Sequence, residues 1–189
     1  MTEINADGRR MTVAEFQAAR GLSVGGSLSL TGCTGLTSLP DGLSVSGWLY
    51  LRGCTGLTSL PEGLSVGDTL DLTGCTGLTS LPDGLSVGGS LDLGGCTGLT
   101  SLPDGLSVSG WLDLRGCTGL TNIIRGGVDS RGYEFFGAYL RPGWRVIAGC
   151  RNFSAQEARA HWPAESECRR LAEEVIAQFP GPAGKEATE

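Results

Sequence analysis

The chain has 189 residues, of which 40% are hydrophobic, 6% are aromatic and 32 are glycine, and its formal net charge is −6. No apolar run approaches the roughly 18 residues of a membrane span, and the opening stretch "MTEINADGRRMTVAEF" lacks the apolar segment of a secretory signal peptide. We therefore expect a cytoplasmic protein with a thin core of small aliphatic side chains.

The first element in chain order is a predicted N-terminal helical cap over residues 1–21. In "MTVAEFQAAR", Thr12 and Glu15 have the spacing of a capping box, and a short helix is predicted to follow and to end near Gly21. Phe16 is then positioned to cover the apolar end of whatever follows.

A repeat of 21 residues occupies residues 22–126, and its period is marked by Cys33, Cys54, Cys75, Cys96 and Cys117. Each unit has seven apolar positions, and one unit cannot bury them alone, so neighbouring units must stack into a solenoid of about five coils. In the third unit these positions are Leu64, Val66, Leu70, Leu72, Cys75, Leu78 and Leu81.

The pattern Leu-x-Leu-x-x-Cys-x-x-Leu, as in "LDLTGCTGL", followed by "LTSLPDGL", resembles the leucine-rich repeat in its short bacterial form with a Leu-Pro step. Cys stands where that family more often has Asn. The resemblance implies an α+β repeat fold in which each coil gives one short strand to a parallel sheet, with the concave face of the sheet open to partners.

The residues support such a strand independently, because in "SLDLT" Leu70 and Leu72 alternate with polar side chains and are expected to point inward. Gly74 and its equivalents are expected to form tight corners. The repeat cysteines are predicted to be reduced, buried and unbridged. Side chains in single file on one wall cannot enclose a tetrahedral ion, so no metal is expected. No cofactor is expected either.

Residues 127–180 are predicted to form a ββαα module: "GYEFFGAYLRPGWRVIAGC" reads as a hairpin that turns at "RPG", and two helices follow. Ser154 and Glu157 repeat the capping-box spacing. One face of the last helix is apolar, with Cys168, Leu171, Ala172, Val175, Ile176 and Phe179. Residues 181–189 are predicted to be a disordered tail. The segment "VIAGCRNFSAQEARAHW" resembles the ends of uncharacterised bacterial and phage proteins.

Two rows of outward positions break the Ser, Thr and Gly background of the predicted strands. Both occur in units that read "VSGWLxLRG", three repeats apart. Trp, Tyr and Arg dominate many protein interfaces. We therefore expect a non-enzymatic protein that binds a partner protein, with an acidic stripe favouring a basic partner. The expected contact residues are Trp48, Tyr50, Arg52, Asp71, Asp92, Trp111, Asp113 and Arg115.

The sequence leaves alternatives open. A small enzyme could use Cys150 and His161 as nucleophile and base, and the acidic column Asp41, Glu62, Asp83 and Asp104 could mimic nucleic acid. Nucleic-acid binding itself is not expected, because the arginines of the C-terminal module alternate with glutamates. Within the binding hypothesis, a phage inhibitor of a host defence protein competes with a bacterial adaptor. The oligomeric state stays open.

Overall fold

The computed structural model describes residues 3–6, 9–140, 143–148 and 151–180, with side chains from residue 11 onward. The turn residues Arg141 and Pro142, the candidate nucleophile Cys150 and the predicted tail 181–189 lie outside the described residues. No helix in the described ranges is long and apolar enough to cross a membrane.

The N-terminal region combines a hairpin with a short helix. Strands β1 (Glu3–Ala6) and β2 (Arg9–Thr12) pair antiparallel, and α1 (Val13–Ala18) follows directly. The predicted capping box is confirmed: the Glu15 amide donates to the Thr12 hydroxyl, and the Glu15 carboxylate accepts from the Thr12 amide. The hairpin was not predicted, since "EINA" and "RRMT" are short and weakly alternating. Phe16 is fully buried in the same core as the repeat leucines.

The repeats form a solenoid of stacked 21-residue coils with two parallel sheets, each of five two-residue strands within the described residues. The first, here the Val sheet, contains β3 (Ser23–Val24), β5 (Ser44–Val45), β7 (Ser65–Val66), β9 (Ser86–Val87) and β11 (Ser107–Val108). The second, here the Asp sheet, contains β4 (Leu28–Ser29), β6 (Leu49–Tyr50), β8 (Leu70–Asp71), β10 (Leu91–Asp92) and β12 (Leu112–Asp113). Four complete turns connect the five strands of each sheet.

The alternation of apolar and polar residues sets the orientation of both sheets. Leu70 and Leu72 are fully buried while Asp71 between them is only half-buried, as the sequence predicts. The prediction of one sheet was incomplete, because "LSV" has the same alternation: Val66 is buried and Ser65 is exposed. Each residue pairs in register with its equivalent in the next coil, so Leu70 lies between Leu49 and Leu91.

Glycine is needed at the corners for two different reasons. Gly74 has φ +72°, a backbone conformation that side chains with a Cβ disfavour. Gly77 has no positive φ, but a Cβ there would lie 2.4 Å from the carbonyl oxygen of Thr55 in the preceding coil. Gly74 therefore allows the chain to turn, while Gly77 allows neighbouring coils to approach each other.

The C-terminal module differs from the predicted ββαα order, because it contributes four antiparallel strands to one sheet within the described residues. They are β13 (Ile124–Val128), β14 (Glu134–Leu140), β15 (Gly143–Ala148) and β16 (Arg151–Phe153), paired in chain order. The first begins inside the stretch assigned to the solenoid. Helices α2 (Ala155–His161) and α3 (Glu167–Ile176) follow, with the predicted capping box at Ser154 and Glu157 confirmed.

Strand β14 joins the solenoid to the helices through its two faces. Phe136 and Leu140 belong to the core of the solenoid, whereas Phe135 packs with Val146 and with the apolar face of α3. Strand β16 lies beside β12, and the Asn152 side-chain amide donates to the carbonyl oxygen of Gly110 at 2.7 Å. The module therefore covers the last coil, while β1 lies beside β4 at the other edge of the Asp sheet.

Candidate functional site

The outer surface of the Asp sheet holds every residue that the sequence nominates for partner binding. Its central column is made by the second residue of each strand, namely Ser29, Tyr50, Asp71, Asp92 and Asp113. Neighbouring residues in the column are about 4.8 Å apart, the strand spacing of a sheet. We call this surface the sheet face.

The first aromatic row of the sheet face is exposed and internally ordered. Trp48 is 45% exposed, and its ring meets the ring of Tyr50 edge to face with centroids 5.6 Å apart. The Trp48 amide donates to the hydroxyl of Ser27 in the preceding coil at 3.1 Å. Arg52, at the end of the row, is also exposed. This row therefore presents an exposed aromatic ring, Trp48, and an exposed cation, Arg52, on the same surface.

The second aromatic row has the same Trp but a different neighbour. Trp111 is 57% exposed, yet Asp113 is only 5% exposed. The Arg115 guanidinium lies over the Asp113 carboxylate, with its Nε 2.8 Å from Oδ2. The structure thus brings Trp111 to the sheet face but encloses Asp113, because the cation that could have faced a partner is engaged within the row.

Asp71 and Asp92 are half-buried and serve the backbone of their own coils. The Asp71 Oδ1 accepts from the amide and the hydroxyl of Thr73, at 2.9 and 2.6 Å. The Asp92 Oδ1 accepts from the amide of Gly94 at 2.9 Å. Each carboxylate fixes the turn after its strand with one oxygen, so the stripe combines a local structural role with negative charge along the sheet face.

The cysteine ladder is structural, as the sequence predicts. The repeat thiols are buried and free, and each of the last four donates to the carbonyl of the second Leu of the preceding coil; for example, Cys75 Sγ lies 3.1 Å from the oxygen of Leu51. Burial raises the pKa of Cys54 and Cys117 to about 11 and that of Cys75 and Cys96 to about 12. Such thiols are protonated and poorly nucleophilic near neutral pH.

The acidic column that suggested nucleic-acid mimicry lies away from the sheet face, on the arm that returns from one coil to the next. Asp41, Glu62, Asp83 and Asp104 are all exposed. The first of them is 3.6 Å from the Arg20 guanidinium. The column presents charge but no apolar anchor.

The alternative catalytic pair cannot be assembled from the described residues, because Cys150 lies outside them. His161 is exposed at the end of α2, and its ring lies over Phe153 with centroids 4.8 Å apart. Among the described residues, no three His, Cys, Asp or Glu side chains are arranged to hold a metal ion. The arginines of α2 and α3 pair with glutamates, including both Arg159 and Arg169 with Glu173.

A buried carboxylate that the sequence did not single out organises the β13 to β14 connection. Asp129 accepts from the amides of Arg131 and Tyr133 and from the Arg131 guanidinium. Burial would raise the pKa of Asp129, but the Tyr133 amide and the Arg131 bonds outweigh it and lower that pKa to about 2. The stretch "DSRGY", an Asp followed by a Gly, is typical of a turn. It could be interpreted as the connection between two strands only once the ends of those strands were known.

Comparisons of the chain with protein-family models, with curated proteins and with solved structures find no match. Function has therefore to be inferred from the side chains themselves.

Proposed function

We propose that this chain is a non-enzymatic interaction protein of the leucine-rich-repeat type that binds a basic partner protein on the sheet face. The observation that supports this most is the exposure of Trp48 and Trp111 on a surface whose other three coils present only Ser, Thr, Gly and Asp. A Trp exposed at 45% or more loses a large apolar area from water when a partner covers it.

Assignment to the leucine-rich-repeat type rests on the repeat pattern and on the inward position of its Leu and Cys side chains. In this assignment the N-terminal helix serves as a cap, since Phe16 fills the open end of the first coil. Both ends of the apolar core are then covered, which a stacked repeat array needs in order to remain soluble.

The charge of the sheet face determines the chemistry of the partner. Asp71 and Asp92 lie next to each other in the central column, whereas Asp113 is neutralised by Arg115. A partner element with Lys or Arg side chains would approach the unneutralised pair, between two Trp anchors about 14 Å apart, which is three strand spacings.

Serine replacements test this proposal cleanly, because Ser27 and Ser90 already occupy the Trp position in other coils. The wild-type chain and the Trp48→Ser, Trp111→Ser double variant would be immobilised and exposed to the same bacterial lysate. We expect at least one basic protein to be retained by wild type and lost from the double variant; that protein is then purified and titrated against both.

Tyr133→Ser provides a matched control, since Tyr133 is 40% exposed but lies outside the sheet face. It should retain the same partner as wild type. Equal retention of every captured protein by the double variant would refute the sheet face as the binding surface.

A further inference from the structure

The two Trp copies lie in different surroundings, although the units that contain them share the stretch "VSGWLxLRG". Trp48 faces solvent next to Tyr50. Trp111 instead borders a cavity of about 390 Å³ at the junction between the last coil and the C-terminal module. A second depression, of about 450 Å³, shares Trp111, Arg151 and Phe153 with the first. We call the first the junction cavity; its volume lies in the range of small-molecule sites, roughly 300–1,000 Å³.

The walls of the junction cavity are rich in aromatic rings. Besides Trp111 they include Tyr133, Phe153, His161 and Trp162. Phe153, His161 and Trp162 are already in mutual contact, with ring centroids between 4.8 and 5.1 Å apart. Trp111 and Tyr133 remain 57% and 40% exposed, so a planar ring bound between these side chains would cover apolar area that the protein leaves in water.

The charge of the junction cavity is positive, in contrast to the protein as a whole. Asp129 is its only acidic lining residue among those described, and the Arg131 guanidinium is bound to it at 2.7 Å. This leaves Arg151, for which no ion pair with a described carboxylate exists. Arg151 is exposed and belongs to both depressions, so its guanidinium can reach an anion in either.

The position of Arg151 is fixed by the fold. It begins β16, which pairs with β15 through Arg151 and Ala148. The next residue, Asn152, donates to the Gly110 carbonyl of the last coil at 2.7 Å, immediately before Trp111 in the chain. The Asn152 side chain therefore ties the backbone next to Arg151 to the backbone next to Trp111, which holds the two residues on adjoining segments.

We propose that the junction cavity binds a small planar aromatic anion, with its ring against the aromatic walls and its phosphate or carboxylate on Arg151. This site shares Trp111 with the sheet face, but Arg151 lies outside that surface, so the proposal does not depend on the partner-binding function.

The test uses the full chain and four probes in isothermal titration: adenosine 5′-monophosphate and indole-3-acetate as anions, with adenosine and indole as their neutral counterparts. At least one anion is expected to bind about tenfold more tightly than its neutral counterpart, the effect of one charge-assisted contact. Binding of the phosphate alone, the carboxylate alone or both identifies the ligand class, and each supports the site. The absence of binding by both anions overturns it.

The test variants are in the junction cavity, and their matched controls are in the repeated unit. Arg151→Ala should weaken anion binding about tenfold, and Trp111→Ser should weaken it comparably. Arg52→Ala and Trp48→Ser remove the same residue types from the sheet face and should leave anion binding unchanged. If Arg151→Ala and Trp111→Ser bind the anion as wild type does, the site is refuted. Arg151→Ala should still capture the protein partner, so failure of one proposal is distinguishable from failure of the other.

Discussion

The Arg115 guanidinium covers the carboxylate of Asp113, two residues earlier in the same coil, whereas Arg52 at the equivalent place follows Tyr50 and stays exposed. Asp113 in the place of Tyr50 thus gives the following arginine a buried anion to pair with, although the Arg115 side chain itself stays 58% exposed. The two arginines should have opposite roles, one in stability and one in contact.

Arg115→Ala is expected to destabilise the fold by about 1–3 kcal/mol, because it leaves the enclosed Asp113 carboxylate with a hydrogen bond from a backbone amide but without its cation. Arg52→Ala should change the unfolding free energy by less than about 0.5 kcal/mol, as is usual for exposed positions. Urea unfolding of both variants measures the difference. Equal effects would show that the pair in the last coil contributes no stability.

The corner glycines give a graded test of coil packing. Gly77→Ala should be the most damaging, because its Cβ would meet the Thr55 carbonyl oxygen at 2.4 Å and force two coils apart. Gly74→Ala should cost about 1–2 kcal/mol from its φ of +72°, since the nearest atom is 4.0 Å from the added Cβ. Gly26→Ala, in open space, should be near neutral.

Thermal unfolding of the three glycine variants by circular dichroism gives the order directly. The stacked-coil geometry predicts Gly77→Ala as the least stable and Gly26→Ala as the most stable. A Gly77→Ala protein with the wild-type melting temperature would contradict the close approach of the coils.

Because the repeat thiols are buried, the stability of the fold should depend on pH in the alkaline range. Burial raises the pKa of Cys75 from 9.0 to about 12, so the folded state holds its proton where the unfolded state has lost it. The stabilisation is complete below pH 9 and is lost as the pH rises from 9 towards 12. The melting temperature should therefore fall over that window. Serine in place of Cys54, Cys75, Cys96 and Cys117 should make this fall smaller, because a hydroxyl does not titrate in that pH range.

Alkylation provides an independent measurement on the same thiols. At pH 8 iodoacetamide should leave Cys54, Cys75, Cys96 and Cys117 unmodified in the folded protein and should modify them rapidly in urea. Mass spectrometry of peptides identifies each site. Fast native modification of any of these four would contradict burial of the ladder.

The solenoid could be predicted because every coil repeats the same apolar spacing, and both capping boxes could be predicted because they are local. The second sheet was missed although Leu64 and Val66 alternate around Ser65, since a strand of two residues has too little sequence to stand out from a turn. The strand β13 was missed for a different reason. "IRGGV" contains two glycines, which are unusual in a strand. Glycine is required there by tertiary packing, because a Cβ on Gly127 would lie 2.5 Å from Leu171 of α3.

In the candidate site, too, some features follow from the local sequence and others depend on tertiary packing. Exposure of Trp48 and Trp111 follows from the alternation of each strand, whereas the enclosure of Asp113 depends on the side-chain conformation of Arg115. The junction cavity combines Trp111 from the solenoid with Arg151 and His161 from the C-terminal module. Residues so distant in the chain meet only through the packing of β16 beside β12, for which the sequence has no local signal.

The negative charge of the acidic stripe should control association with the partner, whereas its support of the fold comes from the oxygens that accept from the backbone. Asp71→Asn together with Asp92→Asn removes two charges from the sheet face but keeps an oxygen that can accept from the amides of Thr73 and Gly94. We expect slower association with the captured partner at low salt and a weaker dependence of the rate on ionic strength, because screening has less charge on which to act. Stopped-flow mixing at several salt concentrations measures both quantities.

The same double variant should unfold at an equal or slightly higher temperature than wild type. Asp92 lies directly between Asp71 and Asp113 in the sheet, and like charges in opposed positions destabilise by roughly 0.2–1 kcal/mol. Asp83→Asn with Asp104→Asn removes two charges from the other acidic column and is the control, for which association should keep the wild-type salt dependence. If this control slows association as much as the sheet-face variant does, the partner responds to net charge alone, and the stripe does not direct its approach.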